Sequence, residues 1–287
     1  MSKSQGDVIG TIERIWRYPL KSAPGEALGS AALGDLGIPG DRGWALIDRE
    51  TGYIGGAKLP RSWRSLLRFS ARYLAEPRPG SPVPAIELTL PDGACVRSDD
   101  PAANDLISTA IGRPVRLSSI PPRERIVVRE WPDIDGMLFR ATESAGEIGK
   151  AAPGAFFDHA PVHLLTTASL AALTAAAPHA DADPLRFRPT LLIQSAENAS
   201  GFAENDWVGL RISIGDVALK VIAPSPRCVV VTLPHGSLSH NLDVLRGLVA
   251  ANRIPFEPGA AAMPCIGAYA VVVRTGKVAT GDRVILR

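Results

Sequence analysis

RISIGDVALKVIAPSPRCVVV, residues 211–231, is the stretch on which the fold turns. Apolar residues alternate with polar or small ones on both sides of Gly215-Asp216, which is the period of half-buried strands divided by a tight turn. A Pro-Ser-Pro corner then leads to Arg227 and Cys228, and the Val229-Val230-Val231 run predicts a further core strand. Cys228 on its own reads two ways. A cysteine opening an apolar run packs as a small hydrophobe, whereas a basic neighbour favours the thiolate, which is both nucleophile and soft-metal ligand.

The same rhythm extends outward. DVIGTIERIWRYPL, WALIDRETGYI, SLLRFSARYLA, AIELTLPDGACVR and the terminal AYAVVVRTGKVATGDRVILR are short runs bounded by Gly, Pro and Asp. In the third, Leu67, Phe69, Ala71 and Tyr73 alternate with Arg68, Ser70 and Arg72. Many short strands with regular turns predict a mainly β protein with a few helices, built as a barrel or curved sheet. Three helices are expected. One is capped by Asp100, with Ala103, Leu106, Ile107, Ala110 and Ile111 as its buried stripe. A second is capped by Thr167 and stops at Pro178, and a third covers residues 241–252. Residues 119–155 break the strand rhythm with prolines, glycines and mixed charges, and read as a long connection.

The chain has 287 residues, 46% of them hydrophobic and 21% charged, enough for one large or two smaller packed domains. A net charge of +2 gives no broad footprint for nucleic acid or an anionic membrane, so neither is expected as a partner. No apolar run resembles a signal peptide or membrane span, so a cytoplasmic location is expected. Three cysteines without CxxC spacing argue against a disulfide framework and a thiolate zinc site.

P-loop, GxSxG, HExxH and dinucleotide fingerprints are absent. His159 and His163 lie in DHAPVHLL, where the proline disfavours a helical metal face; one exposed and one packed histidine is the plain reading. What recurs is a basic residue beside a Pro or Gly corner: YPLKS at 18–22, PGDRGW at 39–44, KLPRSW at 58–63, RFRPT at 186–190 and SPRC at 225–228. If strand-end loops gather on one side of a barrel, Lys21, Arg42, Lys58, Arg188 and Arg227 line one cleft. That cleft would suit a phosphorylated ligand through charge-assisted hydrogen bonds.

Together with FFDHAPVHLLTTASL and WVGLRISIGDVALKV, these motifs resemble the MOSC family from about residue 8 to the end. More narrowly, they resemble the two-part proteins that include the mitochondrial amidoxime-reducing components; a similar module closes the molybdenum cofactor sulfurases. The resemblance implies a MOSC N-terminal β-barrel domain over 7–118, a connection over 119–155 and a MOSC domain over 156–287. It further implies a molybdenum pterin cofactor between the two parts, with Cys228 as metal ligand and catalytic centre. Lys21 and Ser22 would contact the pterin phosphate, helped by Arg42 and Arg188, with Lys58 as a further contact. Arg227, His159 and Ala160 would complete the pocket, with Thr190 and Tyr269 nearby. The implied activity is reduction of small N-hydroxylated or N-oxide compounds, with electrons from a separate flavin, haem or iron-sulfur protein. A sulfur or cofactor carrier using Cys228, and a metal-free sensor of phosphorylated ligands, are the rival expectations. This chain departs from the family where Ala57-Lys58 stands for Arg-Gln, where Pro226 stands for serine, and where Thr232-Leu233-Pro234-His235 stands for an aspartate-containing stretch.

Overall fold

The computed structural model describes residues 6–137, 142–152 and 154–287. Seven strands close into a barrel: β1 (Asp7–Arg17), β2 (Val162–Thr166), β3 (Leu191–Ser195), β4 (Arg211–Ile214), β5 (Val217–Pro226), β6 (Ala262–Arg274) and β7 (Arg283–Leu286). Their order is β2-β3-β1-β7-β4-β5-β6, and β6 pairs back onto β2. Only β2 and β3 run parallel, with Leu164 opposite Leu191. Closure leaves these strands without free edges. The alternation around Gly215-Asp216 holds: Ile212, Ile214, Val217, Leu219 and Val221 all point into the barrel and are fully buried. Ile12, Ile15, Ile193 and Trp207 fill the same interior.

One stave comes from the far end of the chain. β1 lies between β3, with Ile15 opposite Leu191, and β7, with Val8 opposite Ile285. The N-terminal segment thus supplies a wall of a barrel whose other staves follow residue 161. The rest of the N-terminal part has its own core of Leu20, Leu46, Leu66, Phe69, Ile86, Leu88, Ile107 and Val115. It is covered by the pair Ala45–Asp48 with Val115–Ser118 and by the three strands Ser70–Tyr73, Ile86–Thr89 and Cys95–Arg97.

Among the described residues there are four α-helices: α1 (Pro60–Trp63), α2 (Ala103–Ile111), α3 (Thr167–Ala176) and α4 (Asp243–Ala251). None is long and apolar enough to cross a membrane. α3 and α4 pack Leu173, Val244, Leu245 and Leu248 against Trp16, Leu165, Leu192 and Ile266 on the barrel's outer wall.

Several local expectations are corrected. The alternation over 67–73 yields a strand only at Ser70–Tyr73. Pro60 starts a helical turn that continues as a 3-10 turn over Arg64–Arg68, burying the adjacent Leu66 and Leu67 together. The cap of α2 is Ala102 instead of Asp100, whose Oδ1 accepts from the Ala102 N–H at 2.8 Å ahead of the helix, and Leu106 is 46% exposed and outside the buried stripe. The α3 cap is Thr166 instead of Thr167, its hydroxyl accepting from Ser169 N–H at 3.1 Å. Within 119–155 the chain forms an antiparallel hairpin, Ile126–Trp131 with Thr142–Glu147. Residues 138–141 and 153 of that connection lie outside those described. Finally, Val229–Thr232 is a 3-10 turn and no strand. Pro224 and Pro226 have no N–H to give a ladder, so β5 ends at Pro226 and Cys228 leaves the sheet.

Candidate functional site

Four barrel segments finish or begin at one end: β1 after Arg17, β2 before Val162, β3 after Thr190 and β5 at Pro226. Against this end lie loops of the N-terminal part, and between them is a cleft of about 850 Å³, mouth included. Lys21, Ser22, Arg42 and Lys58 line it from one side, and Ala160, Arg188, Thr190, Arg227, Cys228 and Tyr269 from the other. The five basic corners therefore do converge. His159 alone of the expected residues is not part of this lining; its ring packs on Phe256 at 4.8 Å and Tyr269 at 5.2 Å, backing the wall.

The backbone here is held in an unusual state. Ser22, Arg42 and Arg188 have φ of 69°, 50° and 53°, and are the only non-glycine residues with positive φ among those described. Such conformations cost about 1–2 kcal/mol each and persist where surrounding contacts over-determine them. Those contacts centre on Tyr18, which is 1% exposed. Its N–H donates to Asp41 Oδ1 at 2.8 Å, its carbonyl accepts from Arg42 N–H at 2.7 Å, and its hydroxyl donates to the Pro189 carbonyl at 3.0 Å. The guanidiniums of Arg42 and Arg188 lie 4.2 and 4.4 Å from its ring centroid, so one aromatic ring positions both. Arg188 also donates to the Ala23 carbonyl at 2.7 Å, and Arg42 is ion-paired to the buried Asp41.

Charge is concentrated and poorly hydrated. Burial, opposed by Asp158 and reinforced by Lys58, lowers the Lys21 ammonium to about 8. Burial likewise brings Arg188 down to about 10. Asp158 answers two cations: Lys21 Nζ donates to its Oδ1 at 2.8 Å, and Lys58 Nζ lies 3.1 Å from the same oxygen. Desolvation would raise this carboxyl, but the two lysines hold it well below the usual range. Ser22 Oγ accepts from the Ala57 N–H at 3.1 Å, which leaves its own proton free to donate.

At the sulfur side, Cys228 is half-buried and caps the 3-10 turn in extended backbone. Arg227 donates to Ser225 Oγ at 2.7 Å and to the Phe187 carbonyl at 2.6 Å, and its N–H bonds the Pro264 carbonyl at 2.8 Å. Behind the turn the fully buried Arg186 donates to the carbonyls of Val231 at 3.3 Å and Ser239 at 2.9 Å, and to Asp181 at 2.9 Å. Among the described residues no three of His, Cys, Asp and Glu gather as a metal cage. Any metal at Cys228 must therefore bring most of its other ligands from outside the protein.

Asp158 and the aromatic walls Phe156, Phe157 and Phe187 belong to the lining and were not singled out from sequence; His163, weighed there only as one of a pair with His159, also lines it and is buried. His163 lines the cleft from β2, paired across the sheet with Tyr269, and a Cβ on Gly267 would run into its ring. Burial and nearby Arg227 push its imidazole well below its ordinary value, so it is neutral. His235, in the stretch that departs from the family pattern, is held near the carbonyls of Leu233 at 3.0 Å and Leu185 at 3.4 Å, outside the cleft lining.

Comparison with known proteins gives two family matches: a MOSC N-terminal beta barrel domain over residues 9–71 and a MOSC domain over residues 152–285. Together they take in about two thirds of the chain. Mitochondrial amidoxime reducing component 2 of Rattus norvegicus is 23% identical over 96% of this chain and 83% of its own. Mitochondrial amidoxime-reducing component 1 of Homo sapiens is 25% identical over 97% of this chain and 83% of its own. The crystal structure of the YUAD protein from Bacillus subtilis aligns with a TM-score of 0.43 at 11% identity, over 96% of this chain and 94% of that one.

Proposed function

Because the chain belongs to the MOSC-domain family, we propose that it binds a molybdenum pterin cofactor and reduces small N-hydroxylated or N-oxide compounds. The single observation that carries this reading is the cleft: a strained, desolvated cationic cradle at one side and a half-buried thiol, Cys228, at the other. The residues fit such a group. Five cationic side chains meet two carboxylates, Asp158 in the lining and Asp41 behind Arg42, which still leaves net positive charge for a phosphate. A single protein thiol without a surrounding ligand cage suits a metal that arrives already bound by its own organic ligand.

When bound, that group supplies two-electron oxygen-atom transfer. The chain's part is to hold it and shape access. Lys21, Ser22, Lys58, Arg42 and Arg188 would grip the phosphate, with Tyr18 keeping the two guanidiniums in place. Cys228 Sγ would give the protein's bond to the metal. Phe156, Phe157, Phe187 and Tyr269 line the cleft and would limit water around the bound group. Neutral His163 holds a proton on one ring nitrogen, within 3.4 Å of the Ile266 carbonyl at Nε2. Electrons would come from a separate donor protein.

The purified protein, reduced by dithionite through a viologen dye, is expected to convert a simple amidoxime to the amidine, with Cys228→Ala losing at least 100-fold in rate. Intact wild-type protein that carries the cofactor but turns over no N-oxygenated compound in a broad panel would instead mark it as a cofactor or sulfur carrier.

A further inference from the structure

The anion seat in this cleft already contains an anion that belongs to the chain. Asp158 is the only carboxylate among the described residues of the lining, and its Oδ1 engages Lys21 at 2.8 Å and Lys58 at 3.1 Å. Its backbone is fixed, because its carbonyl accepts from the Gly149 N–H at 3.0 Å. Its side chain is 38% exposed, so rotation about two torsions takes the carboxylate off both lysines without moving the backbone. Lys21 cannot follow. It is 4% exposed, and the Phe156 carbonyl holds another of its three donors at 2.8 Å. Between Asp158 and Lys21, the carboxylate is the member that can move.

We propose that Asp158 sets the specificity of this seat, as a tethered carboxylate that yields to a phosphate dianion and holds out monoanions. The proposal rests on the reading of the cleft as a phosphate seat. A monoanion from solution replaces one single charge with another, and loses to a carboxylate tethered within reach at high effective concentration. A phosphate dianion brings a second charge and several acceptor oxygens, enough to engage Lys21, Lys58 and the guanidiniums of Arg42 and Arg188 together. The displaced carboxylate turns to water through its exposed side. A purely structural ion pair makes a different prediction: removing Asp158 would lower stability and leave anion selectivity as it was.

The test is calorimetric titration, at pH 7.5, of the full chain produced in a host that makes no pterin cofactor, with inorganic phosphate and, separately, nitrate. It compares the wild type with Asp158→Asn, and with Asp158→Ser in case the amide hinders folding. The wild type is expected to bind phosphate and give no heat with nitrate. Both variants are expected to bind phosphate at least ten-fold more tightly and to bind nitrate as well. Phosphate affinity that is unchanged or weaker in a folded variant, continued exclusion of nitrate by it, or nitrate binding as tight as phosphate in the wild type, each overturns the role. If no form binds phosphate, the phosphate seat fails and this proposal with it. A protein that shows the selectivity change yet carries no molybdenum when made in a cofactor-proficient host loses only the functional reading.

Discussion

Lys21 carries the clearest pH signature in the molecule. Its ammonium is brought to about 8 in the folded state against 10.5 when free, with burial the main cause. Between those values the unfolded chain binds the extra proton, so this group makes the fold more stable as pH rises through that window. Phosphate binding runs the other way. Asp158, Lys58 and Arg42 act on the ammonium, and an added anion favours its charged form. Calorimetry at pH 8.5 in buffers of different ionisation enthalpy should show proton uptake on phosphate binding, and affinity should fall above pH 8; proton release would contradict it. Ser22 gives a second residue-scale prediction. Ser22→Gly relieves a positive φ worth about 1–2 kcal/mol but loses the bond from Ala57 N–H, worth about 1 kcal/mol. Chemical denaturation should therefore move by less than about 1 kcal/mol while phosphate affinity drops. The basic corners were legible because Pro and Gly mark turns whatever the tertiary structure. Asp158 and His163 were not, since alternation and charge cannot tell which side chain of a bent segment turns towards a distant loop.

The turn that carries Cys228 shows how far local pattern reaches at the level of elements. Three valines have high β propensity, yet Pro224 and Pro226 deny the ladder its donors and the run folds as a 3-10 turn. What holds that turn is Arg186, the first residue of RFRPT, two before the Arg188 that sequence singled out. Arg186→Met strands the Val231 and Ser239 carbonyls and leaves Asp181 to water, and should destabilise the protein by about 3 kcal/mol in urea. Far-ultraviolet circular dichroism should stay native in the folded fraction; a change under 1 kcal/mol would mean the turn is held by its apolar contacts alone. The hairpin of 126–147 escaped sequence reading for another reason. Thr142–Glu147 is almost wholly exposed, so burial leaves no alternation to read. By contrast β4 and β5 were legible because each buries one face completely.

At the scale of the whole molecule, the barrel depends on a strand from the opposite end of the chain. A fragment of residues 119–287 lacks β1, which separates β3 from β7, and loses Ile12 and Ile15 from the core. It should fail to give a cooperative thermal transition alone; a sharp transition would show that β3 and β7 can close without β1. Mainly β character was legible in the turns and periods, but this shared stave was not, because pairing between residues some 180 apart leaves no local mark. The same arrangement brings Lys21, Arg42 and Lys58 from one part against Arg188 and the Cys228 thiol from the other, which is the central claim about function. Metal analysis of protein purified anaerobically from a cofactor-proficient host tests it most directly. One molybdenum per chain in the wild type, lost in a folded Cys228→Ala variant, is the predicted result; wild-type protein without molybdenum would contradict the account.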